Sequence, residues 1–101
     1  MESSKLINDL LDVLEREQPK IYTPNDKESK ILIFISPELY DEVKRLEKSN
    51  FIEDGTYIYD VSYYKDSNQV IVNIGIMFDD DSWIKLDIDK TIEEKIKTYL
   101  K

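Results

Sequence analysis

An α+β fold, with an antiparallel sheet of four to five strands and two or three helices, is predicted by three observations. Apolar residues recur at helical spacing at both ends of the chain. A five-residue apolar run, Ile31 to Ile35, leads through Ser36-Pro37 into an acidic helical pattern. Two alternating segments are joined by a short polar turn and followed by a third strand-like stretch. The predicted order is α-β-α-β-β-β-α, and at 101 residues the chain forms a single domain over residues 1–101.

Leu6, Leu10, Leu11 and Leu14 place one apolar stripe on a first helix, with Ser3 or Ser4 as its cap and Pro19 as its stop. The stretch from Tyr22 to Asp26, with Pro24 and Asn25, reads as a turn. It delivers the chain to Ile31-Leu32-Ile33-Phe34-Ile35, whose unbroken apolar character predicts a strand buried on both faces. Ser36 has N-cap chemistry and Pro37 takes the first helical position, so Leu39, Val43 and Leu46 become the inner stripe of a second helix. Asn50 and Asp54-Gly55 close it. Ile92, Ile96 and Leu100 give Thr91 to Leu100 helical spacing.

Thr56 to Lys65 and Gln69 to Phe78 form a hairpin around Asp66-Ser67-Asn68, with Asn68 in the left-handed conformation. A three-residue loop sets Tyr64 opposite Val70 and Ile58 opposite Ile76. Trp83 to Ile88 follows, with Phe78 opposite Ile84. One face then carries Ile58, Val70, Val72, Ile74, Ile76, Phe78, Ile84, Leu86 and Ile88. The other carries Tyr57, Tyr59, Val61 and Tyr63 with Ile71, Asn73, Gly75, Met77, Trp83 and Lys85.

The formal charge is -8, with no histidine and no cysteine. The chain therefore lacks the side chain suited to proton transfer near neutral pH, a thiolate nucleophile and a zinc thiolate. Ser29 and Ser36 have no base, and no catalytic residue or cofactor is assigned. Asp79-Asp80-Asp81 lacks the glycine and bidentate glutamate of a calcium loop, so no metal is assigned either. An acidic field repels DNA and anionic membranes, which excludes nucleic acid and membrane as partners and points to basic surfaces. Leu6 to Leu14 is interrupted by Asn8, Asp9 and Asp12, so no leader or membrane span is expected and the expected location is the cytoplasm.

Two blocks carry the whole charge: seven acids against three bases over 36–62, and five against one over 79–89. Carboxylates three or four residues apart on a helix lie about 5 to 6 Å apart, and alternate strand residues about 6.8 Å apart. Both spacings can imitate successive phosphates. Glu38, Asp41 and Glu42 meet the helical condition, with Glu28 at the start of the neighbouring strand. A solvated helix face on an ordinary acidic protein is the plainer alternative.

The pattern of Leu10-Leu11-Asp12-Val13-Leu14-Glu15-Arg16-Glu17, Glu28-Ser29, Pro37-Glu38-Leu39-Tyr40-Asp41-Glu42-Val43, Tyr64-Lys65-Asp66-Ser67-Asn68 and Trp83-Ile84-Lys85-Leu86-Asp87-Ile88-Asp89 extends over most of the chain. In that order it resembles the phage uracil-DNA glycosylase inhibitors, small acidic proteins that mimic DNA. It departs from the family by three extra residues between Glu28 and Pro37 and by a helical last segment where the family has a strand.

The resemblance implies a non-enzymatic inhibitor that occupies the DNA-binding groove of uracil-DNA glycosylase, in the cytosol of a host cell. It implies partner contacts by Glu28 and Ser29, and by Glu38 with Asp41 or Glu42. It further implies an apolar pocket for a leucine of the partner, lined by Leu39, Val43, Val70, Val72 and Leu86 with Ile33 or Ile35. Plain core packing is the alternative for each pocket residue. Two other binding classes stay open: an anti-CRISPR-like inhibitor of another DNA-binding effector or nuclease, and an acidic immunity protein or antitoxin.

Overall fold

The computed structural model describes residues 2–46 and 56–100. Its elements are α1 (Glu2–Glu17), β1 (Tyr22–Asn25), β2 (Glu28–Phe34), a 3-10 turn (Pro37–Leu39), α2 (Tyr40–Leu46), β3 (Tyr57–Tyr64), β4 (Gln69–Ile76), β5 (Ile84–Leu86) and α3 (Lys90–Leu100). The five strands form one antiparallel sheet in the order of the sequence, and the three helices bury their apolar stripes against one face of it. The fold is the α+β class that the element pattern predicts.

The core joins Leu6, Leu10 and Leu14 of α1, Val43 of α2 and Ile96 and Leu100 of α3 to alternate residues of β2, β3 and β4. The backbone helix of α1 already includes Ser3 and Ser4, so neither stands before it as a cap. Gln18 closes it in a left-handed conformation, φ 46, and Pro19 follows. Pro37 sits in the first turn after Ser36 as expected, but the Ser36 side chain makes no capping hydrogen bond. Asp89 caps α3 instead: its carboxylate accepts the Ile92 N–H at 2.8 Å and its carbonyl the Glu93 N–H at 2.9 Å. The expected stop signals Asn50 and Asp54-Gly55 lie outside the described residues.

Three expectations about the strands are corrected. Tyr22 to Asn25 is an edge strand paired with β2, which tolerates Pro24 because its backbone nitrogen has no ladder bond to make. The tight turn is set by Asn25, whose side-chain oxygen accepts the Lys27 N–H at 2.9 Å. β2 is buried on one face only: Ile31 and Ile33 turn to the helices, while Leu32 and Phe34 stand 46% and 64% exposed on the other.

The third correction concerns register. Tyr63, not Tyr64, lies opposite Val70, because the β3–β4 loop spans four residues, Lys65 to Asn68. Asn68 is left-handed as predicted, φ 55. A slip of one residue turns every side chain of a strand over. Tyr57, Tyr59 and Val61 therefore join Val70, Val72 and Ile74 under the helices, and Ile58 moves to the open face. The burial of two tyrosines decides the register. Tyr59 hydroxyl lies 2.8 Å from an Asp9 carboxylate oxygen and 2.9 Å from the Leu6 carbonyl, and Tyr57 meets Tyr40 edge to face at 4.6 Å.

Between β4 and β5 the observed pairs are Ile74 with Ile84 and Val72 with Leu86, four positions from the expected register. The shift is even, so faces are kept. It lengthens the connecting loop, however, and Phe78 leaves the core face to stand 92% exposed with φ 68. Trp83 folds over Gly75 on the open face, where a Cβ on Gly75 would lie 2.7 Å from the indole.

Candidate functional site

The antiparallel order gathers the end of β2, the start of β3, the end of β4 and the start of β5 at one end of the sheet. At that end the 3-10 turn and α2 begin, bringing exposed Glu38 and Asp41, and the loop after β4 brings exposed Asp79, Asp80 and Asp81. The two acidic stretches are far apart in sequence and share one end of the molecule. Acids in the first turn of a helix are favoured by its positive end, which explains how Glu38, Asp41 and Glu42 are accommodated together.

The loop is held by its own hydrogen bonds. Ser82 hydroxyl accepts the Ile76 N–H at 2.7 Å and donates to the Asp79 carbonyl at 2.8 Å, and Asp79 carboxylate accepts the Asp81 N–H at 3.0 Å. Buried Ser82 thus fixes a hairpin whose tip presents Phe78 to solvent. Phe34 projects from the open face at the same end. Two exposed aromatic rings therefore lie at the same end of the sheet as the acids. Neither was singled out from the sequence as a contact; Phe78 directly ahead of three aspartates was the available signal.

The residues implied by the family resemblance separate into three places. Glu38 and Asp41 belong to the acidic end. Glu42 is largely covered and ion-paired, 2.9 Å from Arg45 and 3.7 Å from Lys5. Glu28 lies at the opposite end of β2, about 20 Å from Phe34 at a rise of about 3.3 Å per residue. There it faces the open side and lies 3.9 Å from Lys30, which is 3.2 Å from Asp60. Ser29 is buried and turned to the helices, away from its neighbour Glu28.

Ile33, Leu39, Val43, Val70, Val72 and Leu86 all belong to the core cluster, with Ile35 beside them. The sheet residues among them share the helix-covered face, as the resemblance requires. None is more than 9% exposed, so a partner's side chain reaches them only by displacing core side chains.

Among the described residues, two titratable groups depart from their ordinary behaviour. Burial and the hydrogen bond to Asp9 push the Tyr59 phenol well above the usual range, so it stays protonated and latches α1 to the sheet. The Arg16 guanidinium is raised by its hydrogen bond to Glu17 at 3.0 Å and by Asp12 at 2.7 Å. Among the described residues no helix is long and apolar enough to cross a membrane. In comparisons with known proteins, no family model, no curated protein and no solved structure matched this chain.

Proposed function

We propose that the chain is a DNA-mimic protein that works without catalysis, by seating its acidic end in the basic DNA-binding groove of another protein. The favoured target is uracil-DNA glycosylase, and the site of action is the cytoplasm. One observation carries the reading: Glu38, Asp41 and Asp79 to Asp81, from separate stretches of sequence, lie at one end of the sheet, as do exposed Phe34 and Phe78. Carboxylates steer encounter with a basic groove and lose their hold as salt rises. Each aromatic ring that then leaves water adds about 1.5 to 3 kcal/mol, which supplies residence time that charge alone does not.

The test is a uracil-excision assay with a bacterial-type glycosylase, titrated with this protein at low and moderate salt. Stoichiometric inhibition is expected, and it should be abolished by Glu38→Lys with Asp80→Lys. Inhibition untouched by that double substitution would sink the acidic end as the contact surface. A second reading, an inhibitor of a different DNA-binding effector or nuclease, is favoured by the distance between Glu28 and Glu38 and by the burial of Ser29. A folded protein that leaves the glycosylase fully active would select it.

A further inference from the structure

Among the described residues, the uncovered stretches of β4 and of β2 differ in how their outward hydrogen-bonding groups are met. Ile35 N–H donates to the Tyr57 carbonyl at 2.9 Å and Lys65 N–H to the Lys27 carbonyl at 2.8 Å, so odd-numbered residues of β2 exchange hydrogen bonds with β3. Even-numbered residues point their N–H and C=O groups the other way. Lys30 meets β1 through Tyr22, but among the described residues no strand continues alongside Leu32 and Phe34. The β4 edge differs. Where β5 is too short to cover it, Glu93 carboxylate accepts the Val70 N–H at 2.9 Å and Ser82 hydroxyl accepts the Ile76 N–H at 2.7 Å. Side chains take up the β4 N–H groups that β5 leaves uncovered, whereas no strand of the described residues takes up those of Leu32 and Phe34.

A groove of about 380 Å³ runs beside the open edge, between Leu32 to Pro37 and the later turns of α1. Val13 and Pro19 give it an apolar wall, and Asp9 and Glu17 set carboxylates along it. Its Arg16 is already engaged by Asp12 and Glu17. We infer that this groove receives an extended basic segment of a partner protein, added as a sixth strand along Leu32 to Phe34 with the sequence pattern apolar-basic-apolar. Partners across a ladder share a face. The two apolar residues, opposite Leu32 and Phe34, lie with those exposed side chains on the open face. The basic residue, opposite Ile33, turns into the groove, its stem along Val13 and its charge toward Asp9 and Glu17. A second copy of this chain is the poorer occupant, because each copy brings a charge of -8.

The inference stands apart from the choice of inhibitory target and is tested without one. The capped peptide Ser-Val-Lys-Val-Ser is titrated into the full, isotope-labelled chain while backbone amide resonances and their hydrogen exchange are followed. The Leu32 and Phe34 amides should shift, saturate and become protected. Replacing the central Lys by Glu should weaken binding about ten-fold, equivalent to about 1.4 kcal/mol, and methylating both Val nitrogens should abolish it. No saturable shift at these amides, equal binding of the methylated peptide, or indifference to the central charge would overturn the proposal. So would protection of the same amides that grows with protein concentration alone, which would assign the edge to a second copy.

Discussion

Single side chains settle more of this fold than their number suggests. Tyr59 is fully buried, and its hydroxyl has both the Leu6 carbonyl and the Asp9 carboxylate as partners. Tyr59→Phe should cost about 1 to 3 kcal/mol, because the hydrogen bond to the Asp9 carboxylate is lost and half-buried Asp9 keeps no phenol partner. The substitution also carries a pH signature. The folded phenol titrates above its ordinary value of about 10, so its contribution is full below that pH and is lost as pH rises beyond it. Denaturation followed from pH 8 to pH 11 should show stability falling on the alkaline side in the parent and a flatter alkaline limb in Tyr59→Phe. Gly75 is a second such position. A Cβ there meets Trp83 at 2.7 Å and the hydrogen-bonded Ser82 hydroxyl at 2.9 Å, so Gly75→Ala should lower stability by about 1 to 2 kcal/mol in chemical denaturation. A gain instead would show that the indole can lift off the sheet freely.

At the scale of elements, local chemistry was legible wherever it acts within a few residues. Ile92, Ile96 and Leu100 announced α3, and Asp89 supplies the cap in the same stretch of chain. Asp89→Ala should cost about 1 kcal/mol and show as a lowered unfolding midpoint with α3 amides exchanging first. The Ser36-Pro37 start of the second helix and the left-handed Asn68 were legible for the same reason. Strand register was not. The choice between a three-residue and a four-residue loop at Lys65 to Asn68 is nearly neutral locally, yet it decides whether Tyr57 and Tyr59 or Ile58 enter the core. The partners that make the tyrosine choice favourable, the Leu6 carbonyl and Asp9 carboxylate on α1 and the Tyr40 ring on α2, are remote in sequence. Pro24 misled for a related reason: it forbids a central strand but not an edge one.

For the whole molecule, charge and topology act together. The excess of acids weakens the folded state by self-repulsion while strengthening attraction to a basic partner. Added salt should therefore move two measurements in opposite directions: the unfolding temperature of the free chain should rise, and the proposed inhibition of the glycosylase should weaken. Both moving together would separate the acids from binding. The candidate site was partly legible at this scale. The acidic blocks were visible in the sequence, but their convergence depends on four antiparallel strands bringing residue 38 and residues 79 to 81 to the same end. The same topology carries Glu28 to the far end and leaves the edge at Leu32 and Phe34 open.

The amino-acid sequence by itself determined the α+β class, the helices, the hairpin, the absence of imidazole and thiol chemistry, and the acidic character of any surface offered to a partner. These follow from periodicity and composition, which short segments carry within themselves. Tertiary structure alone decided which face of β3 is buried, that Phe34 and Phe78 are exposed, that Ser29 is enclosed, and which acids stand together. Each of those depends on pairing between distant residues, where a one-residue slip costs little locally and exchanges core for surface along a whole strand.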